Sequence, residues 1–256
     1  MSEIAPTARV DERATIGEGC QIGEFCVVEQ DVVLGDGCRL EPYVYVKRWT
    51  TMGERNTVSS GTVLGSDPLD KNFTGERSYL TIGNGNTIRE HFTISRATKP
   101  EGVTVIGDRN YIMTAGHIAH DCRVGNDTVV CSNVLVAGYC VLEDQVYLSG
   151  GVMVHQFCRI GRLALVSGNT RVNLDAPPFF IYYGFDPEPH GLNVVGLKRA
   201  GLSGEQIQEL KKAYRVLYKS GLKLKDALLR LDRPESSEPV RHLAAFCRAS
   251  ERGITR

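Results

Sequence analysis

The chain has 256 residues, and its 30 basic and 30 acidic side chains cancel. A nucleic-acid-binding surface normally needs a basic excess or stripe, and neither is present. No apolar stretch approaches the ~20 residues that span a bilayer, and the start, MSEIAPTARVDE, lacks a charged-then-apolar leader pattern. The composition suits a cytoplasmic protein with one large domain, or one domain and an appendage.

From Ile4 the sequence advances in sixes. Positions 4 to 172 contain 29 six-spaced slots, and only Asp70, Glu76 and Pro100 are neither aliphatic nor Met. An amphipathic helix repeats every 3.6 residues and cannot produce this pattern. Glycine often follows the aliphatic, as at Gly17, Gly35, Gly107 and Gly125, which suggests corners turned without a Cβ penalty. Four residues after the aliphatic the side chain is usually small or β-branched. Cys20, Cys26, Cys38, Cys122, Cys140 and Cys158 fall in that slot, and no two of the eight cysteines form a C-x-x-C pair. They read as buried ladder residues, not as disulfide or zinc ligands.

Short strands on a six-residue period predict a parallel β-helix, a mostly β fold in which each aliphatic is buried only by stacking on its neighbours. Three sixes per turn make a triangular prism of about nine coils, spaced by the ~4.8 Å of paired strands. Two stretches break the rhythm, 66–79 and 96–104. Their Pro, Gly, Asp and Lys content marks them as loops leaving the prism, and long loops on a strict scaffold are usually functional. The coil unit is expected over 1–190 and a helical unit over 191–256. Within the latter, Ser203 with Gln206 fits a capping box, and Ile207, Leu210, Tyr214 and Leu217 form one apolar face. Gly221 suits the helix end. Residues 222–231 and 239–252 make two further helices.

Six histidines are present, and three draw notice. His117 and His120 flank Ile118, and His155 follows Val154 two coils later. Three readings stay open from spacing alone. They ligate zinc as in β-helical carbonic anhydrases, which needs three convergent side chains and an open position. One of them is a general base near neutral pH, with Asp121 or a backbone carbonyl fixing its tautomer. Or they are turn residues without chemistry.

The hexads resemble the hexapeptide-repeat acyltransferases, whose coils wind left-handed against the usual crossover rule. GHIAHDCRVGN (116–126), VAGYCVL (136–142), GGVMVHQFCRIG (150–161) and LNVVGLKRAG (192–201) resemble the UDP-N-acetylglucosamine O-acyltransferase family over essentially the whole chain. That resemblance implies a left-handed parallel β-helix with a small α-helical C-terminal domain. It implies transfer of an (R)-3-hydroxyacyl chain from acyl carrier protein to the glucosamine 3-OH, the first step of lipid A synthesis. It assigns His120 as the general base and the Gly138 N–H as the oxyanion donor. Asp70, His117, Tyr139, His155, Gln156, Asn193 and Arg199 match substrate-lining positions, and Leu165 and Gly168 match the acyl-chain ruler. No metal or cofactor is implied. A homotrimer with its site between prisms is, and one prism face is then expected to be more apolar than the others. Lys211, Lys212, Arg215, Lys219 and Lys223 are available to the acidic carrier protein.

The chain departs from the family pattern on the acceptor side. Tyr139 stands where the family has histidine, and Asn72 where it has lysine. Val195 replaces glutamate, and Ala200 replaces the second arginine of a pair. These changes keep open a paralogue acting on a different nucleotide sugar, such as a 3-amino sugar. Less consistent with the motifs are a zinc-dependent hydro-lyase and a non-catalytic assembly protein.

Overall fold

The architecture is described for residues 2–256 in a computed structural model. The hexads form a left-handed parallel β-helix whose strands, mostly two residues long, stack into three flat faces. The first face holds eleven strands, the second nine and the third eight. On the first face Ile22, Leu40, Val58, Ile88, Ile112, Val130, Leu148 and Val166 lie in direct register, and all are 0–2% exposed. This aliphatic column is the core. A two-residue strand is unstable alone; here each one is hydrogen-bonded to the coils above and below.

The two insertions leave the register untouched because each is a whole number of hexads. The usual step between stacked residues is 18, as from Asp108 to Asn126; it is 30 from Glu54 to Asn84 and 24 from Asn84 to Asp108. The chain leaves between Val63–Ser66 and Tyr79–Ile82, and again between Thr93–Ser95 and Val103–Ile106, and returns to the same column each time.

The hexad glycines act differently from the expectation. Those directly after the aliphatic, apart from Gly65, do not have positive φ. The left-handed conformation falls two residues later, and Phe25, Asp31, Tyr43, Asp121, Asn133 and Tyr139 all adopt it at φ between 57° and 64°. The glycines are needed for close approach. A Cβ on Gly35 would lie 2.6 Å from the Gly53 carbonyl carbon and 2.7 Å from its oxygen. Coils spaced by a β ladder leave no room for a methyl at that corner.

All eight cysteines are buried and free, and the six in the expected slot are at most 1% exposed. Burial pushes the thiol of Cys158 up to about 12, so that sulfur stays protonated and unreactive. In the middle coils the same slot holds a polar ladder. The Asn56 Oδ1 accepts from the Asn86 N–H at 2.8 Å, the Asn86 Oδ1 from the Asn110 N–H at 2.9 Å, and the Asn110 Oδ1 from the Thr128 N–H at 2.8 Å. Each coil thereby satisfies the buried amide of the next.

After Val172 the strand Phe180–Tyr183 continues the first face, and Glu188–Leu192 pairs with it antiparallel. Four α-helices follow: α1 (Val194–Arg199), α2 (Gly204–Tyr214), α3 (Leu224–Leu231) and α4 (Glu238–Arg248). The Ser203–Gln206 capping box is formed, and Gly221 takes φ 71°. A π turn over Arg215–Lys219 extends α2, and α1 has no counterpart among the expected helices. The tail is fastened to the coil by the His242–Glu143 bond at 2.8 Å and the Arg162–Glu238 pair at 2.7 Å, and Arg159 stacks on Phe246. Among the described residues no helix is long and apolar enough to cross a membrane.

Gly35→Ala should lower stability by about 1–3 kcal/mol, the usual cost of forcing atoms into a packed site. Gly37→Asn, at a left-handed corner (φ 65°) with space around it, should change it by less than ~0.5 kcal/mol. Thermal melts of the two variants test the assignment; equal losses would contradict it.

Candidate active site

Both insertions leave the prism at one corner, where the second face turns into the third. The coil that follows them carries His120 at that corner. Gly138 and Gln156 occupy the same place in the next two coils, and Asp121, Tyr139 and Phe157 form the adjoining column at φ 60°, 62° and 66°. The corner thus gathers residues that are distant in sequence.

The His120 Nδ1 lies 2.9 Å from the Asp121 Oδ2. The two side chains are 12% and 11% exposed. An ionised carboxylate only accepts, so in the neutral ring Nδ1 carries the proton and Nε2 keeps a lone pair. The Thr98 N–H (3.1 Å) and hydroxyl (2.8 Å) also donate to the Asp121 Oδ2. Thr98 comes from the second insertion. The Tyr139 ring stacks on Phe157 with centroids 5.0 Å apart and meets the His120 ring edge-on at 5.4 Å.

Gly138 lies against the imidazole. A Cβ there would fall 2.5 Å from the His120 Cε1 and 2.9 Å from Nε2. Its carbonyl accepts from the Phe157 N–H, whereas its own N–H bonds no atom among the described residues. On the corner from the third face to the first, the equivalent amide is tied to an Asn or Asp of the neighbouring coil, as the Asn126 N–H is to the Asp144 Oδ1 at 2.7 Å. The coil therefore presents a buried, unengaged donor beside a histidine with a free lone pair.

His117 points outward from the second face, and its Nδ1 meets the Thr93 hydroxyl at 2.7 Å. Its Nε2 is buried without a partner, and burial lowers its pKa, which favours the neutral ring. With His155 and Arg171 it lines a shallow, mostly apolar cavity of about 370 Å³ floored by Leu135, Ala137 and Met153. The structure thus brings His117, His120, Gly138, Tyr139 and His155 to one region. Gln156 is exposed on the same corner, and the His155 Nδ1 bonds its carbonyl. Among the described residues of one chain, no three His, Cys, Asp or Glu side chains gather as a metal site requires.

The other expected residues lie apart. Asp70 sits within the first insertion, where its carboxylate caps the Asn72 N–H at 2.9 Å. That loop is pinned by Arg96, which is 1% exposed, bonds the Asp67 carboxylate at 2.8 Å and lies against the Trp49 and Phe73 rings. Asn193 is buried and caps α1, and its amide also donates to the Leu163 carbonyl at 3.0 Å. A direct nucleotide contact is therefore not available to that side chain as it stands. Arg199 is exposed at the end of α1. Leu165 lies half-buried on the first face between Tyr147 and Ile181, and Gly168 is exposed at the next corner.

A family model described as UDP N-acetylglucosamine O-acyltransferase, domain 2, matches residues 175–255, and a bacterial transferase hexapeptide model matches 13–48. A curated relative from Alkalilimnicola ehrlichii, an acyl-[acyl-carrier-protein]–UDP-N-acetylglucosamine O-acyltransferase, is 45% identical over 100% of both chains. One of the same name from Janthinobacterium sp. is 42% identical, again over 100% of both chains. The chain belongs to the UDP-N-acetylglucosamine O-acyltransferase family. The acyltransferase structure from Bacteroides fragilis superposes with a TM-score of 0.96 at 36% identity, covering 99% of this chain and 100% of that one. That from Moraxella catarrhalis gives 0.96 at 37%, covering 99% of each.

Within this O-acyltransferase, sequence reasoning missed Thr98 and Arg96. The break at Pro100 marked the second insertion as functional, but nothing in a local pattern joins Thr98 to a carboxylate 23 residues on. Gly138→Ala should displace the imidazole and lower kcat roughly 100-fold, the scale of a 1 Å misplacement. The melting temperature should stay within a few degrees, because the nearest atoms belong to a side chain and not to backbone. Steady-state kinetics beside a melt check this, and an unimpaired kcat would contradict it.

Proposed function

We propose that this O-acyltransferase moves an (R)-3-hydroxyacyl chain from acyl carrier protein to the 3-hydroxyl of UDP-N-acetylglucosamine, with His120 as general base and the Gly138 amide as oxyanion donor. The observation that carries the reading is the His120 ring, bonded through Nδ1 to Asp121, lying beside the unengaged Gly138 N–H one coil away. A sugar hydroxyl, with a pKa near ~15, attacks a thioester only if its proton leaves as the C–O bond forms. Nε2 accepts that proton. The thioester carbonyl becomes an oxyanion that the buried amide can stabilise; one such donor is worth roughly 3–4 kcal/mol. The tetrahedral intermediate collapses with loss of the thiol, which takes the proton back from the imidazolium. Proton transfer and hydrogen bonding suffice, so the reaction needs neither cofactor nor metal.

His117, His155 and Gln156 are assigned to the substrate cleft, and the apolar cavity beside them suits the acyl–pantetheine arm. Asp70 is assigned to the sugar, Arg199 to the nucleotide end, and Leu165 and Gly168 to the acyl ruler. Asn193 contributes there by holding α1 in place. We read 1–190 as the coil domain and 191–256 as the helical domain. The acyl carrier protein is assigned to the exposed cations Lys212, Arg215, Lys219 and Lys223 with the half-buried Lys211, since complementary charge speeds encounter. Two adjoining faces expose Tyr111 and Tyr147, and Leu135 and Met153, at 37–50%. Apolar side chains on flat faces support packing against further copies, and a homotrimer with the cleft between prisms is our reading. Both substrates are cytoplasmic compounds, and the reaction is placed there.

A second reading, an altered acceptor, is favoured by one observation. The Tyr139 hydroxyl spends its proton on Thr98 at 2.9 Å, so it has no donor left for a sugar and can only accept. Mass spectrometry of wild type and His120→Ala, given UDP-N-acetylglucosamine and 3-hydroxyacyl carrier proteins of several lengths, tests both. Acylated UDP-N-acetylglucosamine from wild type, reduced roughly 10²–10⁴-fold in the variant, is expected. No product from a folded wild type, but an amide from the 3-amino analogue, would replace the acceptor.

A further inference from the structure

The carboxylate beside His120 is held by more than the histidine. The Asp121 Oδ2 receives the Thr98 N–H and the Thr98 hydroxyl as well as Nδ1, and the Asp121 N–H donates to the Thr104 hydroxyl at 2.8 Å. The Thr98 hydroxyl in turn lies 2.9 Å from the Tyr139 hydroxyl. The polarity of this chain follows from counting protons. Ionised Asp121 has none to give. The single hydroxyl proton of Thr98 therefore goes to Asp121, and its oxygen is left to accept. The Tyr139 proton then goes to Thr98. Every bond points toward the carboxylate, and the last donor on it is the His120 Nδ1–H.

We propose that Thr98 and Tyr139 are positioning residues for the base: a Tyr139→Thr98→Asp121 chain that orients the carboxylate and so fixes His120 in its Nδ1–H tautomer. The proposal rests on the reading of His120 as general base. It gives the second insertion a function, since Thr98 is delivered to Asp121 by that loop while Tyr139 comes from the following coil. It also explains a tyrosine at a corner whose neighbours above and below are Phe157 and Asp121. The ring stacks on Phe157 and walls the imidazole, and the hydroxyl reaches the loop. Thr98 fastens the same Oδ2 that His120 uses, which limits the carboxylate's rotation in a way that a lone Asp–His pair does not.

The electrostatic consequence has a definite sign. Donors to Asp121 spread its negative charge and weaken its pull on an imidazolium. Removing them concentrates that charge and makes His120 easier to protonate. The acidic limb of kcat/KM against pH, which reports the free base, then moves to higher pH.

The test compares Thr98→Val, Thr98→Ser, Tyr139→Phe and His120→Ala in the full-length enzyme, with UDP-N-acetylglucosamine and a 3-hydroxyacyl carrier protein of the length the wild type accepts. Thr98→Val is expected to lower kcat about 10-fold or more, the scale on which second partners of functional side chains act. KM for both substrates should stay within about 2-fold, and the acidic limb should rise by several tenths of a pH unit. Thr98→Ser keeps the hydroxyl and should recover most of kcat and the wild-type limb. Tyr139→Phe keeps the stacked ring, loses only the outermost donor, and should show the same changes at smaller size. An unchanged kcat and limb in both Thr98→Val and Tyr139→Phe, with His120→Ala inactive, would overturn the relay and leave the base standing. Loss of kcat that serine does not rescue, with the limb unmoved, would also overturn it by making Thr98 a packing residue. Full activity in His120→Ala would remove the base itself.

Discussion

The structure depends on one constraint: every side chain in the column must sit directly on the equivalent residue of the adjacent coil. Two-residue strands have too few hydrogen bonds and too little buried area to persist alone. Stacked at ladder spacing, they become continuous sheets around an aliphatic column. Register on one face is locked to register on the other two, because a shift of one residue would turn the aliphatics outward. The insertions obey the same constraint. They are two and one hexads long, so the chain re-enters in phase.

Tight stacking also makes the site. Where coils approach so closely that a corner cannot carry a Cβ, a glycine amide is brought within reach of the ring of the coil before it. Along the corner from the third face to the first, the equivalent amides are taken by Asn and Asp side chains of the next coil. At Gly138, on the corner from the second face to the third, neither His120 nor Gln156 accepts the amide proton. The scaffold therefore leaves a rigid buried donor there, with no loop needed to hold it. A site built on such a frame loses little free energy to reorganisation when charge develops. The two insertions supply Asp70 and Thr98, side chains at the periphery of the reacting atoms.

Much of this is legible in the sequence, because a six-residue period leaves few alternatives. The coil, the two excursions, the buried cysteines and the capping box all follow from spacing and residue type. The role of the glycines does not. A glycine after the aliphatic looks like a turn residue, and only the backbone φ values show that the turn lies two positions later, filled by residues such as Phe25 and Tyr43. α1 is equally hidden: VVGLKR is short, begins with two β-branched residues and contains a glycine, so propensity argues against it. It forms because Asn193 caps it and Leu197 is buried. Of the candidate site, the His120–Asp121 pair is adjacent in sequence and easily suspected. Thr98 and Tyr139 are joined to it only by the stacking of three coils.

The departures from the family pattern fall into two physical groups. Val195 is 61% exposed on α1 and Ala200 half-buried at its end, and no hydrogen bond of either side chain could replace the charge that the family places there. On the proposed assignment of that end to the nucleotide, both changes remove polar contacts, which would weaken ground-state binding most directly. Tyr139 is different, since its hydroxyl is used, and used on the base. A substitution that removes an acceptor contact while bracing the catalytic dyad shifts effort from holding the sugar to holding the proton acceptor. Interactions realised in the transition state raise kcat, whereas uniform binding lowers only KM. On the proposed roles of these residues, the changes at 139, 195 and 200 would trade acceptor affinity for turnover without altering the acyl transfer itself.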